Sequence, residues 1–250
     1  MPRGALALVG SGEYTPTMEA TDRMLLDSLA VKQPRVVVIP TASGLEHGQP
    51  ERWNRMGVRH FEDLGAHVTP LHLIDRADAS NPAFVEAIQQ SQLIYFSGGS
   101  PDHVIESLHD TPVWQAVLAA HEAGAVLAGC SAGAMMLGHA TLSVRAMRQG
   151  QGPRWRAALA VAGAVAIMPH FDRMRGFMGP EAFRQALAAA PGQITLIGVD
   201  EDTALVRQAD QHWVVSGRQA VSVFDKSGTA TIYHPGQRVT AVWEEPPYGP

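Results

Sequence analysis

The sequence predicts an α/β fold: a mainly parallel sheet flanked by helices, with a β-meander at the C-terminal end. Three observations predict it. Between residues 5 and 137, short apolar runs suited to strands alternate with longer segments of helical periodicity. The run Arg35-Val-Val-Val-Ile-Pro40 is β-branched without alternation, the composition of a strand covered on both faces. The run Ala125-Val-Leu-Ala128 breaks at Gly129-Cys-Ser-Ala-Gly133 and resumes in helix formers to Leu137, a strand turning sharply into a helix.

Taken in order, residues 5–9 read as the first strand, followed by the loop Gly10-Ser-Gly-Glu-Tyr-Thr-Pro16. Residues 17–30 have helical periodicity, with Met18, Leu25, Leu26 and Leu29 on the apolar side. Strand 35–40, helix 50–64, strand 65–73 and helix 82–91 follow, the last with Pro82 in its first turn. Leu93-Ile-Tyr-Phe96 is a strand ending in Ser97-Gly-Gly-Ser100, and helices 101–108 and 112–123 lead to the Gly-x-Ser-x-Gly segment. Parallel sheets gather functional groups at the carboxyl ends of their strands, which places residues 10–13, 41–43, 98–99 and Ser131 on one rim.

Beyond that segment, residues 145–156 are polar, contain Gly150 and Gly152, and read as a mobile loop. Residues 157–168 are rich in Ala and Val and fit a strand or a helix equally. Residues 180–190 read as a helix, and 194–199 as a strand leading into Asp200-Glu-Asp202. From Thr203, short strand-like runs alternate with turn signals at Gly217, Ser227-Gly228 and Pro235-Gly236, a meander on the same domain. The whole chain, 1–250, reads as one domain, with 243–250 a frayed proline-rich tail.

Composition excludes several classes. Of 250 residues, 46% are hydrophobic and 17% charged, which supports a large core and excludes disorder. The net charge is −5 with no basic block, so nucleic acid is not the expected partner. Cys130 is the one cysteine, so neither an intrachain disulfide nor a cysteine-based metal site can form. This suits a reducing compartment, and the expected location is the cytoplasm. The N-terminal apolar run is short for a secretory signal, and no apolar run approaches the ~20 residues of a membrane span. His67 and His72 lack a third ligand at metal-like spacing, so no metal and no cofactor are expected.

The chemistry-bearing stretch is the Gly129–Gly133 turn. Flanking glycines let the chain turn tightly and lift the Ser131 hydroxyl above the sheet edge, as in a nucleophile elbow. The helix N-terminus behind it can stabilise an oxyanion. A serine needs a general base, and the base a group to orient it. His170, stiffened by Pro169, is the candidate base. For the acid, alternation in extended backbone lets either Glu201 or the Asp200 and Asp202 pair face the site. Asp172 is a fallback, two residues from His170. Cys130 stands one residue before the serine and is expected to point the other way, into the core.

These residues resemble the serine peptidase family of aspartyl dipeptidase and cyanophycinase. The resemblance runs from Val9 to about Arg207, through Val-Ile-Pro-Thr-Ala-Ser at 38–43, Phe-Ser-Gly-Gly at 96–99, Asp-Thr-Pro at 110–112, Gly-Cys-Ser-Ala-Gly-Ala at 129–134, Pro-His-Phe at 169–171 and Gly-Val-Asp-Glu-Asp-Thr-Ala-Leu at 198–205. It implies a three-layer sandwich like the class I glutamine amidotransferase (flavodoxin-like) domain. It also implies Ser131 as nucleophile, His170 as base, Glu201 as orienter, and the N–H groups of Gly99 and Ala132 as oxyanion donors. The order Ser, His, acid differs from the Ser, acid, His order of α/β-hydrolases. Ser100, Asp172, Arg173 and Arg175 are the candidate substrate-binding residues, the arginines as partners for a substrate carboxylate. Two departures stand out. Gly98-Gly-Ser-Pro101 replaces the family's Gly-Gly-Asp-Gln, and the arginine-rich segment after the histidine is reduced to Arg173 and Arg175. Both point from cyanophycin toward another short peptide. The expectation is exopeptidase action through an acyl-enzyme, in a homodimer by resemblance alone. The rival expectations are carboxypeptidase-like, esterase or amidase action on the same residues, a non-catalytic peptide-binding protein, and an amidotransferase-like domain serving a partner enzyme.

Overall fold

The apolar runs of the first half line up side by side. The computed structural model describes residues 3–192, 194–225, 227–241 and 243, without the side chains of 175, 177 and 180. In chain order the elements are β1 (Leu6–Val9), α1 (Glu19–Asp27), β2 (Arg35–Ile39), α2 (Gln49–Asp63), β3 (His67–Pro70), α3 (Pro82–Gln90), β4 (Leu93–Phe96), α4 (Pro101–Leu108), α5 (Pro112–Glu122), β5 (Val126–Cys130) and α6 (Ala132–Leu137). They continue with β6 (Ala140–Leu142), α7 (Val144–Arg148), β7 (Trp155–Ala157), β8 (Val165–Met168), α8 (Phe171–Ala188), β9 (Thr195–Val199), β10 (Thr203–Arg207), β11 (Trp213–Gly217), β12 (Val221–Phe224), β13 (Ala230–Tyr233) and β14 (Arg238–Val239).

The main sheet has eight strands in the order β14-β11-β10-β1-β5-β4-β2-β3. From β1 to β3 every pair is parallel, and β10, β11 and β14 extend it antiparallel. The central strands β1, β4 and β5 are buried along their whole length, which is why they read as continuous apolar runs. Alternate side chains serve opposite layers. Leu6, Leu8, Ile94 and Phe96 pack with Ile88 of α3 and Val117 of α5. Ala7, Val9, Tyr95 and Cys130 pack with Leu25 of α1 and Phe61 of α2. The result is helix, sheet, helix.

A second sheet, β13-β12-β9-β8, lies on the first of these layers, with Val165, Ile197 and Val223 in the same core cluster as Leu6. The C-terminal strands are shared between the two sheets. The chain leaves the second sheet at Val199, crosses through residues 200–202, and enters the main sheet as β10. After Gly217 it returns as β12.

Three local expectations are corrected. Residues 145–156 are not a free loop. They contain most of α7 and the start of β7, because Arg145 N–H donates to Asp102 (2.9 Å), the Arg145 guanidinium grips both oxygens of Glu106 (2.9 and 2.8 Å), and Arg156 bonds Asp102 and Glu106 (3.0 Å each). Those partners lie about forty residues or more upstream, so no local pattern reveals them. The helix expected at 180–190 begins earlier: residues 171–178 form the first part of α8, which kinks at Gly179 (φ 73°) before the expected span. Phe171 anchors this part by packing on Phe183 and Phe224. Trp243, placed in the frayed tail, is 8% exposed, packs on Trp213 (5.2 Å between rings) and donates its indole N–H to Ala162 O (3.1 Å). The rest of that tail lies outside the described residues. The undecided segment 157–168 ends as strand β8. Among the described residues no helix is long and apolar enough to cross a membrane.

Opposite the rim, at the N-terminal end of β1, Arg207 and His121 are fully buried together. His121 Nδ1–H donates to Ala125 O (2.9 Å), which leaves Nε2 as acceptor for Arg207 Nη2 (3.1 Å). Burial, with the Arg207 charge adding to it, pulls the His121 pKa down to about 4. Between that value and ~6.5 the unfolded chain binds a proton that the folded chain does not, so stability falls as pH drops through this window. The expected loss between pH 7 and 4.5 is about 2–3 kcal/mol. Urea unfolding of His121→Gln, whose amide can donate and accept along the same two directions, should show a pH dependence weaker by that amount. Asp102→Ala should release α7 and β7, read as new protease cleavage between residues 145 and 156 with the rest of the chain resistant.

Candidate active site

The site forms where β5 becomes α6. A Cβ on Gly129 would lie 2.3 Å from Gly133 O, and one on Gly133 would lie 2.5 Å from Phe96 O. Only glycine at both positions lets the helix sit this close to the strand ends. The turn throws Ser131 into φ 51°, ψ −113°, a region L-residues avoid at a cost of about 1–3 kcal/mol. Its N–H still closes the sheet on Val9 O (2.9 Å), so the side chain is raised above the rim.

His170 comes from the second sheet. It follows β8 in the left-handed conformation (φ 49°, ψ 39°), and its carbonyl accepts from Arg173 and Met174 as α8 begins. β8 and β9 run parallel with Met168 opposite Gly198, and the chain continues two residues past each strand, which brings His170 beside Glu201. His170 Nε2 is 3.0 Å from Ser131 Oγ, and His170 Nδ1 is 3.0 Å from Glu201 Oε1. A carboxylate only accepts, so Nδ1 carries the hydrogen and Nε2 is left to accept from the serine hydroxyl. A hydroxyl, an imidazole and a carboxylate linked in this order can move the serine proton as its oxygen attacks.

Of the three acidic residues at the crossing, Glu201 alone meets the imidazole. Asp200 accepts from Ala220 N–H (3.1 Å), and its half-buried carboxyl is pushed up by desolvation. Asp202 pairs with Arg218 (2.9 Å). Glu201 is held from every side. Asp172 Oδ1 accepts its N–H (2.9 Å), Gln219 donates to its carbonyl (2.9 Å), and Arg173 Nε forms an ion pair with Oε2 (2.8 Å). Asp172 therefore grips the backbone of Glu201 and does not reach the ring. Arg173 spends one nitrogen on Glu201 and leaves the rest of its guanidinium exposed. Ser100 Oγ accepts from His103 N–H (3.3 Å) as the N-cap of α4. The Arg175 side chain lies outside the described residues.

The rim loops meet as parallel-sheet topology requires. Gly99 has φ 148°, and a Cβ there would lie 2.2 Å from Ala42 O, so the loop after β4 packs on the turn after β2. Ala132 opens α6 and its N–H has no intrahelical acceptor. Among the described residues, neither Gly99 N–H nor Ala132 N–H has a protein acceptor. Cys130 is fully buried on the α1–α2 side, away from Ser131. Burial first, then the neighbouring Glu13, pushes its thiol well above the usual range, which makes it an inert thiol.

Sequence reasoning placed Glu13 on the rim without giving it a role, and missed Gln219. Glu13 is buried beneath the rim, with Oε1 accepting Gly98 N–H and Oε2 accepting the Cys130 thiol, both at 2.9 Å. Its one signal was a charged residue amid small ones at the carboxyl end of the first strand. Among the described residues no cluster of His, Cys, Asp or Glu is arranged to hold a metal ion.

The sequence matches peptidase family S51 over residues 6–215. Cyanophycinase of Geminocystis herdmanii (strain PCC 6308) is 28% identical over 204 residues, 80% of this chain and 72% of that one. Cyanophycinase of Synechococcus elongatus is 28% identical over 193 residues, 75% of this chain and 58% of its own length. This chain thus spans 72% and 58% of the two relatives' lengths. The crystal structure of a peptidase from an acI-B1 actinobacterium superposes with TM-score 0.85 and 34% identity over 95% of this chain and 97% of that one. A putative peptidase E from Listeria monocytogenes EGD-e, 16% identical with TM-score 0.63 over 87% of this chain and 100% of its own, shares the fold. The motifs, the three-layer architecture and these matches agree: the chain belongs to peptidase family S51.

Proposed function

We propose that this chain is a serine exopeptidase acting on short peptides, with Ser131, His170 and Glu201 as its catalytic triad. One observation carries the reading: the unbroken hydrogen-bonded line from Ser131 Oγ through both nitrogens of His170 to Glu201, with both links 3.0 Å. Ser131 Oγ attacks the scissile carbonyl as His170 Nε2 takes its proton, and Glu201 steadies the imidazolium. The oxyanion is received by the N–H groups of Gly99 and Ala132. His170 returns the proton to the leaving amine, and water, activated by the same nitrogen, hydrolyses the acyl-enzyme.

The rim is walled by loops from several strands, which suits a short peptide over a folded chain. The free nitrogens of Arg173, beside the triad, suit a substrate carboxylate. At residues 100 and 101 the chain caps and opens α4 with Ser-Pro, so a glutamine expected by resemblance has no counterpart there. That favours a peptide other than cyanophycin.

The first test is intact-protein mass after treatment with a serine-directed sulfonyl fluoride. Wild type and Cys130→Ala should gain one label, whereas Ser131→Ala and His170→Ala should gain none. Label lost in Cys130→Ala alone would overturn the assignment of the nucleophile. A dipeptide panel, with ester and amide analogues alongside, then reads the substrate class. On the best peptide, Ser131→Ala should lower kcat by at least about 10³-fold and Glu201→Gln by about 10²–10⁴-fold. Arg173→Gln should lower kcat for all peptides by loosening Glu201, and raise KM about tenfold only for those with an acidic side chain or terminus near the scissile bond.

A further inference from the structure

Four successive N–H groups follow strand β4, and three are pinned. Ser97 N–H donates to Ile39 O (3.2 Å) and Ser100 N–H to Ala42 O (2.6 Å), both on the β2 side. Gly98 N–H faces the other way and donates to Glu13 Oε1 (2.9 Å). Among the described residues Gly99 N–H has no acceptor and stays open toward the rim. The acceptor for Gly98 is unlike the other two, and the elbow explains why. Strands β4 and β5 pair up to Phe96 opposite Gly129, and continuing that register would bring Gly98 opposite Ser131. At Ser131 the chain has already turned into α6, so the ladder runs out of carbonyls. Glu13, reaching from the loop after β1 past the end of β5, supplies the missing acceptor.

This replacement is costly unless every lone pair is used well, because a carboxylate loses its hydration on burial. Glu13 uses both oxygens, one on Gly98 and one on the Cys130 thiol. The held peptide lies directly against the serine: a Cβ on Gly98 would sit 3.2 Å from Ser131 Cβ and 3.7 Å from Ser131 Oγ. An unheld Gly98-Gly99 pair has two permissive residues in succession and rotates freely.

We propose that Glu13 is a positioning residue for the reaction. It fixes the Gly98 peptide so that the adjacent Gly99 N–H points at the developing oxyanion. This deepens the triad reading above and rests on it. Glu13 touches neither substrate nor the reacting atoms. It acts through the backbone, by the position of an acceptor oxygen and not by its charge.

The test uses two conservative variants of the full chain, on the peptide that wild type hydrolyses. Glu13→Gln keeps an oxygen for Gly98 N–H and turns its amide nitrogen to the Cys130 sulfur, a weak acceptor. It should stay within about fivefold of wild-type kcat. Glu13→Asp keeps the charge but withdraws the oxygens by about 1 Å, and should lower kcat by at least about tenfold with KM within twofold. Affinity for a peptidyl boronic acid, which mimics the tetrahedral intermediate, should fall in Glu13→Asp by the same factor as kcat, while affinity for the peptide product stays unchanged. A structural role alone would lower melting temperature and active fraction but leave that ratio of affinities intact. The proposal is overturned if Glu13→Asp matches wild type, if Glu13→Gln loses activity as severely as Glu13→Asp, or if the losses lie in KM. Failure of the triad reading is seen separately, as wild type that neither takes the sulfonyl label at Ser131 nor hydrolyses any peptide.

Discussion

Helix α6 approaches the end of strand β5 more closely than any side chain would permit. Would-be Cβ atoms at Gly129 and Gly133 fall inside backbone carbonyls. From that contact follow the positive φ of Ser131, the raised hydroxyl, and the direction of the helix N-terminus. It also truncates the β4–β5 ladder, and so creates the need for an acceptor that Glu13 meets. The local strain is of order 1–3 kcal/mol and is held by the fully buried strands on either side.

The rest of the site comes from a second constraint, the crossing between two sheets. Ser131 belongs to the main sheet, and His170 follows a strand of the second. Glu201 sits on the segment that joins them. The parallel β8–β9 register sets the His170–Glu201 spacing, and the shared core cluster sets the distance to the serine. Asp172, Arg173 and Gln219 fasten Glu201 at its N–H, carboxylate and carbonyl, so the acid is fixed before any ligand arrives. Preorganisation of this kind places charge and acceptors where reaction would need them without rearrangement.

Polar networks elsewhere serve stability, each built around a buried group: His121 with Arg207, and Asp102. The His121–Arg207 pair closes the end of the sheet remote from the rim, and the Asp102–Glu106–Arg145–Arg156 network ties α7 and β7 to α4. Both join segments far apart in the chain. A carboxylate or imidazole buried this way must find its partners in the fold, since an unpaired one costs several kcal/mol.

Local pattern alone determined the alternation of strands and helices in the first half, the continuous apolar runs of the central strands, and the turn at Ser131. Each depends on neighbouring residues: side-chain period, β-branching and the spacing of glycines. Chain order and motif also singled out His170 and pointed to residues 200–202 for the acid, with Asp172 as fallback, and the family resemblance favoured Glu201 among them. Tertiary structure decided the rest. Alternation left Glu201 and the Asp200–Asp202 pair open, and the β8–β9 register with the crossing at 200–202 brought Glu201 alone to His170. The helix at 171–178 hangs on Phe171 packing against Phe183 and Phe224, and the order of residues 145–156 on ion pairs to α4. Trp243 is buried by a partner thirty residues upstream. Glu13 is the clearest instance. Nothing in Gly-Ser-Gly-Glu shows that a neighbouring strand, distant in sequence, will end one carbonyl short.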